Sequence, residues 1–148
     1  MGSIFVGICI FFSSSCVGLW VKKRYLKRLG FYQSYHDFLA YASDKIGYER
    51  MIFPEIVRTF RSESKEFSEL LFGGRPSISI SDDALSSVIE FIASIGTTDA
   101  DTQLSSLRSK SAEISSLLEK EGAKWKKDAT LYFKLSVLVG IALFIILV

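Results

Sequence analysis

Cysteine, histidine and proline are scarce here: two cysteines, one histidine and two prolines in 148 residues. With His36 the sole imidazole and no cysteine near it in sequence, a zinc site has no ligand set. Cys9 and Cys16 share one apolar stretch. Seven residues apart on a helix they share a face but stand about 10 Å apart by rise, too far for an intrachain disulfide. They read as two small lipid-embedded residues. The cysteine-free remainder fits a reducing compartment. Charge of one sign is also lacking. Eighteen Lys and Arg against sixteen Asp and Glu leave a net +2, without the basic face that nucleic acid requires. No phosphate-binding glycine loop, dinucleotide fingerprint or nucleophile elbow occurs. Asp82-Asp83 and Asp99-Ala100-Asp101 are carboxylate pairs, but each opens an expected helix, where capping accounts for them. Gly73-Gly74-Arg75 reads as a turn rather than a phosphate cradle. The expectation is a non-enzymatic binding module without cofactor or metal.

Long uncharged runs are what the chain does have. Ser3 to Val21 carries no charge, and neither does Leu135 to Val148. Lys22, Lys23, Arg24, Lys27 and Arg28 follow the first run; Lys124, Lys126, Lys127 and Lys134 precede the second. Positive charge marks the cytoplasmic side of a span. Both clusters flank the same middle segment, so that segment is expected in the cytoplasm with both ends across the membrane. The basic borders also suit anionic lipid headgroups. Charge that follows the first run, rather than preceding it, is the reverse of a cleaved signal peptide. The second run reaches the roughly 20 residues a span needs when extended back to Ala129. That extension includes Lys134, which snorkels, and places Trp125 and Tyr132 near the interface. The expected divisions are an N-terminal transmembrane helix over 1–21, a helical domain over 22–128 with one modest core, and a C-terminal transmembrane helix over 129–148.

The middle reads as all-α, a small bundle of about five helices. Lys22 to Ile46 is one long helix, with Leu26, Leu29, Phe38, Leu39, Ala42 and Ile46 on a broad apolar face, Gly30 as a potential kink and Gly47 as its end. Pro54-Glu55 opens a second, with proline at the first position and an acid at the positive end. Phe67, Leu70 and Leu71 mark a short third that stops at Gly73-Gly74-Arg75-Pro76. Ser77 to Ser81 alternates as a strand would, but lacks a partner strand and reads as an extended connector. Ser81 caps a fourth helix carrying Leu85, Val88, Ile89, Ile92 and Ile95, ended by Gly96. The Thr98-Asp99 pair caps a long fifth, with Leu104, Leu107, Ile114, Leu118 and Trp125 on a three-and-four spacing of coiled-coil type. Gly122 is a potential hinge before the second span. Glu63, Lys65, Glu66 and Glu69 read as solvated surface.

Two stretches stand out: Ile46-Gly47-Tyr48 followed by Pro54-Glu55-Ile56, and Ile95-Gly96-Thr97-Thr98-Asp99 with Gln103 four residues on. In these motifs and their order, and in the membrane–helices–membrane layout along nearly the whole chain, the sequence resembles the stage III sporulation protein AB family of endospore-forming bacteria. It departs at Ile95 and Thr98, where leucine and serine are usual. Met51-Ile52-Phe53 lacks the usual Thr-Pro pair, and the 73–81 region is shortened. The local logic of the second motif is that Gly96 takes the left-handed conformation, Thr98 caps the next helix, Asp99 sits at its positive end and Gln103 bonds back to the turn. This builds a tight helix–helix corner that also offers a docking surface.

The resemblance implies an assembly role. The family's domain is similar to the F-type platform domain of type II secretion machines. It implies a non-enzymatic platform in the mother-cell membrane around the forespore, docking a cytosolic ATPase of the stage III sporulation protein AA type to a transenvelope channel complex. Other membrane proteins of that complex and membrane lipids would be partners; nucleic acid would not. Gly96, Thr98, Asp99, Gln103, Tyr48, Pro54 and Glu55 are then the candidate docking residues. A structural adaptor of another membrane complex, acting through the long amphipathic helix, is the alternative. Ser14 with Gly18, and Ser136 with Gly140, are small pairs four apart that let helices approach closely; the two spans are expected to pack there, within one chain or between neighbours.

Overall fold

The computed structural model describes residues 2–147. Met1 and Val148, the outermost residues of the expected spans, lie outside that description. Every regular element among the described residues is helical. α1 (Gly2–Asp44) runs on through a π-helical turn, Lys45–Glu49. α2 (Phe53–Thr59), α3 (Lys65–Leu71) and α4 (Asp82–Ser94) follow. α5 (Ala100–Leu117) passes through a second π turn, Leu118–Gly122, into α6 (Ala123–Leu147). Counting through the π turns, the described residues form five continuous helices. The first and last, Gly2–Glu49 and Ala100–Leu147, are long and apolar enough to cross a membrane. Only 11% and 6% of their most apolar windows are buried within the protein, so this surface is not core; it suits contact with lipid.

The chain divides into two compact units: one from the described parts of Met1–Leu26 and Ala123–Val148, the other Lys27–Gly122.

The Lys27–Gly122 unit has an aromatic core. Phe31, Tyr35, Phe38, Leu39 and Ala42 of α1 are fully buried, as are Ile56 of α2 and Phe67 of α3. Leu85, Val88 and Ile92 of α4 and Leu107 and Ile114 of α5 close it. The Phe67 ring meets Phe31 at 5.6 Å, Tyr35 at 5.8 Å, Phe38 at 5.7 Å and Phe60 at 6.3 Å between centroids. Two of these four contacts are edge-on, as ring quadrupoles favour, and two are tilted. The sequence-derived face differs in part: Leu26 is exposed, and Phe31, Tyr32 and Tyr35 supply burial that the face starting at Leu26 omitted.

Local chemistry explains the boundaries. Ser64 Oγ accepts from the Phe67 N–H at 3.3 Å, capping α3, while the Ser64 N–H donates to buried Ser34 Oγ at 3.1 Å. Gly73 has φ +84°. A Cβ on Gly74 would lie 2.9 Å from the Glu69 carbonyl oxygen, so this pair of glycines is what lets the chain turn off α3. Residues 73–81 form a connector, not a reduced helix. Arg28 Nε donates to the Ser79 carbonyl at 2.6 Å and fastens that connector to α1. Ser81 Oγ caps α4 by accepting from the Ala84 N–H at 3.2 Å.

Several boundaries depart from expectation. α1 passes Gly30 without interruption. Gly47 does not end it; Gly47 lies inside the π turn, and the left-handed residue that closes the turn is Arg50, φ 49°, whose N–H bonds the Lys45 carbonyl. α2 begins at Phe53, one residue before Pro54. Gly122 closes the second π turn, and a Cβ there would come within 3.2 Å of Leu29 Cδ1, so its role is close packing. Glu66 is not solvated surface: its side chain is 16% exposed and pairs with Lys27 at 3.0 Å.

Candidate functional site

The two sequence stretches meet in the Lys27–Gly122 unit. The π turn after α1 and the start of α2 lie against the α4–α5 corner, and between them opens a cleft of about 630 Å³. Ile46, Met51, Ile52, Phe53, Pro54 and Leu104 give it apolar walls. Arg50, Thr98, Asp101 and Gln103 supply its polar groups. A Cβ on Gly47 would touch Leu104 Cδ2 at 3.4 Å, and one on Gly96 would touch Phe53 Cβ at 3.4 Å. Each glycine therefore faces a residue adjoining the opposite stretch.

The corner is held by its own hydrogen bonds. α4 ends at Ser94, and Gly96 at φ +93° reverses the chain, a conformation that costs little only for glycine. Thr97 Oγ1 donates to the Ser94 carbonyl at 2.6 Å. The cap of α5 is Asp99, not Thr98: Asp99 Oδ2 accepts from the Thr102 N–H at 3.1 Å. A carboxylate at that position offers a charged acceptor to the positive helix end, and the Thr102 hydroxyl and N–H hold it below the usual carboxylate range. Gln103 Nε2 donates to the Thr98 carbonyl at 2.6 Å, so Gln103 bonds back to the turn. The Thr98 side chain, relieved of capping, lines the cleft.

Of the candidate docking residues, Pro54, Gly96, Thr98 and Gln103 line this cleft and Asp99 caps the helix beside it. Tyr48 and Glu55 do not line it: Tyr48 is 88% exposed on the π turn, and Glu55 is exposed in the first turn of α2. Sequence reasoning missed Arg50, Met51, Ile52, Phe53, Asp101 and Leu104. Their signal was adjacency to the motif residues, and Met51-Ile52-Phe53 had registered only as a departure. Ile52, 66% exposed, and exposed Arg50 are large side chains in the cleft's lining, and exposed Tyr48 stands on the adjoining π turn. Large aromatic, arginine and aliphatic groups around a partly apolar cleft suit the capture of a polypeptide. Among the described residues no cluster of three or more His, Cys, Asp or Glu is placed to hold a metal.

In the other unit, Ser14, Gly18, Ser136 and Gly140 come together. Ser14 Oγ donates to the Ser136 carbonyl at 2.6 Å, and Ser136 Oγ donates to the Ser14 carbonyl. A Cβ on Gly18 would lie 2.7 Å from Ser136 Cβ, and one on Gly140 3.3 Å from Ser14 Cβ. The helices are antiparallel, so each glycine receives the serine of the opposite pair. Such reciprocal side-chain bonding also satisfies the hydroxyls where lipid offers no partner.

A sequence model of a family described as stage III sporulation protein AB matches residues 67–148, more than half of the chain. The match takes in the α4–α5 corner and α6 but leaves Tyr48, Pro54 and Glu55 outside it. No curated protein and no solved structure gives a significant match.

Proposed function

The chain belongs to the stage III sporulation protein AB family, and from that premise we propose that it is a non-enzymatic membrane platform. In this reading its helical unit receives a cytosolic ATPase of the stage III sporulation protein AA type. The platform then couples that ATPase to a transenvelope channel assembly between mother cell and forespore, beside other membrane proteins of the complex. The middle segment would face the mother-cell cytoplasm, because both basic clusters flank it. The observation that carries the docking part is the convergence of the two motif stretches on one cleft lined in part by exposed Arg50 and Ile52, with Tyr48 exposed on the adjoining π turn. Anchors of these residue types dominate binding at interfaces when they become buried by a partner.

The adaptor reading through the α5 seam finds less support. Leu107 and Ile114, the centre of that seam, are buried inside their own unit and leave little apolar surface for another chain.

Co-purification of the full chain with the cognate ATPase from detergent-solubilised membranes tests the proposal. Binding is expected, and Tyr48→Ala with Ile52→Ala should weaken it at least tenfold (about 1.4 kcal/mol). Both side chains are exposed, so the fold should stay intact. Absence of binding by the unmodified chain would remove the coupling claim; full binding by the double variant would move the docking surface away from this corner.

A further inference from the structure

Within the two-helix unit, Lys22, Lys23 and Arg24 on α1 and Lys124, Lys126 and Lys127 on α6 stand against a single acid, Asp128. All but Lys22 are exposed. The antiparallel register sets Lys22–Arg24 level with about residues 131–133 of α6, between Lys127 and Lys134. The Tyr25 ring stacks on Tyr132 at 5.8 Å and 10°, the Lys22 ammonium sits 5.3 Å over the Phe133 ring, and Gly18 faces Ser136. Lys134 extends the basic zone about two turns toward the apolar end. From Lys124 to Lys134 the zone is about 15 Å deep by helical rise. Its apolar edge is the exposed surface of Val17, Trp20, Leu135 and Leu138, with the Arg24 guanidinium 5.3 Å over the Trp20 ring.

We propose that this zone is a headgroup site for acidic phospholipid, shared by both helices, and that the bound lipid strengthens their pairing. Like charges on two adjacent helices repel one another. A phosphate placed among them relieves that repulsion in the paired arrangement and does so less when the helices part. By linkage, a ligand that binds the paired form better stabilises the pairing. The committed source is a lipid rather than free phosphate, because the adjoining exposed apolar surface accommodates acyl chains and the aromatic rings lie where interfacial belts form. The proposal rests on α1 and α6 lying in a bilayer, and it is independent of ATPase docking.

The chain's two tryptophans, Trp20 and Trp125, both lie in this unit and serve as reporters. The full chain would be reconstituted in phosphatidylcholine carrying a rising fraction of brominated phosphatidylglycerol or brominated phosphatidylcholine, and tryptophan quenching followed. Phosphatidylglycerol should quench at about fivefold lower mole fraction, the value of one well-placed cation at a membrane surface, and high salt should erase the difference. Two triple variants, Lys22→Gln/Lys23→Gln/Arg24→Gln and Lys124→Gln/Lys126→Gln/Lys127→Gln, should each bring the ratio toward one, since both helices contribute. Equal quenching by the two lipids overturns the proposal, as does an unchanged ratio in either variant. Loss of the preference on adding millimolar inorganic phosphate, at constant ionic strength, would assign the site to a free anion and overturn the lipid assignment. Should a variant fail to reconstitute, the preference of the unmodified chain and its salt dependence decide the question.

Discussion

Glu66 shows at the residue scale how burial and pairing compete. Burial alone would push its carboxyl up. The Lys27 ammonium at 3.0 Å, its own backbone N–H and the Ser64 hydroxyl outweigh that and hold it below the usual range. Asp99 is held low as well, by Thr102. A carboxyl whose folded value is depressed contributes stability that is complete above the ordinary carboxylate value, and that is lost as pH falls through the folded one. The full chain in detergent should therefore lose denaturant resistance as pH drops from 5 toward 3. Glu66→Gln combined with Asp99→Asn should flatten that loss. An equally steep loss in the double variant would place the acid sensitivity on other carboxyls. Individual residues were only partly legible in the sequence. Ser81 as a cap, Gly96 as a left-handed residue and Gln103 bonding its turn all follow from local rules, and the structure agrees. Thr98 against Asp99 was a choice between two good caps one residue apart, which local rules leave undecided. The Lys27–Glu66 pair joins positions far apart in sequence, so nothing local announces it.

Elements were more legible than their ends. The helical periodicity of 82–95 and 98–125 is strong, and the structure forms helix over 82–94 and, through the π turn, over 100–125. The π turns at Lys45–Glu49 and Leu118–Gly122 were invisible: each inserts a residue's worth of slack into a helix, and no composition marks that. Gly47 looked like a helix end because glycine often is one; here Arg50 takes the left-handed position one turn later. The pairing of the terminal helices makes a test at this scale. Disulfides need Cβ atoms about 3.5–4.5 Å apart. The Ser14 Cβ and the position of a Cβ on Gly140 are 3.3 Å apart, so a small shift brings them into range. In a background lacking Cys9 and Cys16, Ser14→Cys with Gly140→Cys should crosslink under mild oxidation in membranes, with the product migrating as a single chain. Ser14→Cys with Ile145→Cys should not, since Ile145 lies more than a turn beyond and is 70% exposed. A crosslinked dimer in place of the monomer would assign this contact to neighbouring chains.

At the scale of the whole molecule, the argument turns on which side of the membrane the Lys27–Gly122 unit occupies. Hydropathy and helix length identify the two end helices, and both were readable from the sequence because a bilayer imposes length and composition directly. The cleft was not, because it forms only when two motif stretches about fifty residues apart are packed against each other by an aromatic core centred on Phe67. The expected sidedness rests on charge asymmetry: five cations after the first run and four before the second both border the middle segment. A cysteine at Ser77, exposed in the connector, reports on it without disturbing the bond from Arg28 to Ser79. With Cys9 and Cys16 replaced, an impermeant thiol reagent should label Ser77→Cys only after permeabilisation. That outcome places the cleft where an ATP-driven partner can reach it. Labelling in intact cells would put the cleft across the membrane from every cytosolic ATPase, so the platform reading would fall even if the fold, the span pairing and the headgroup site all stood.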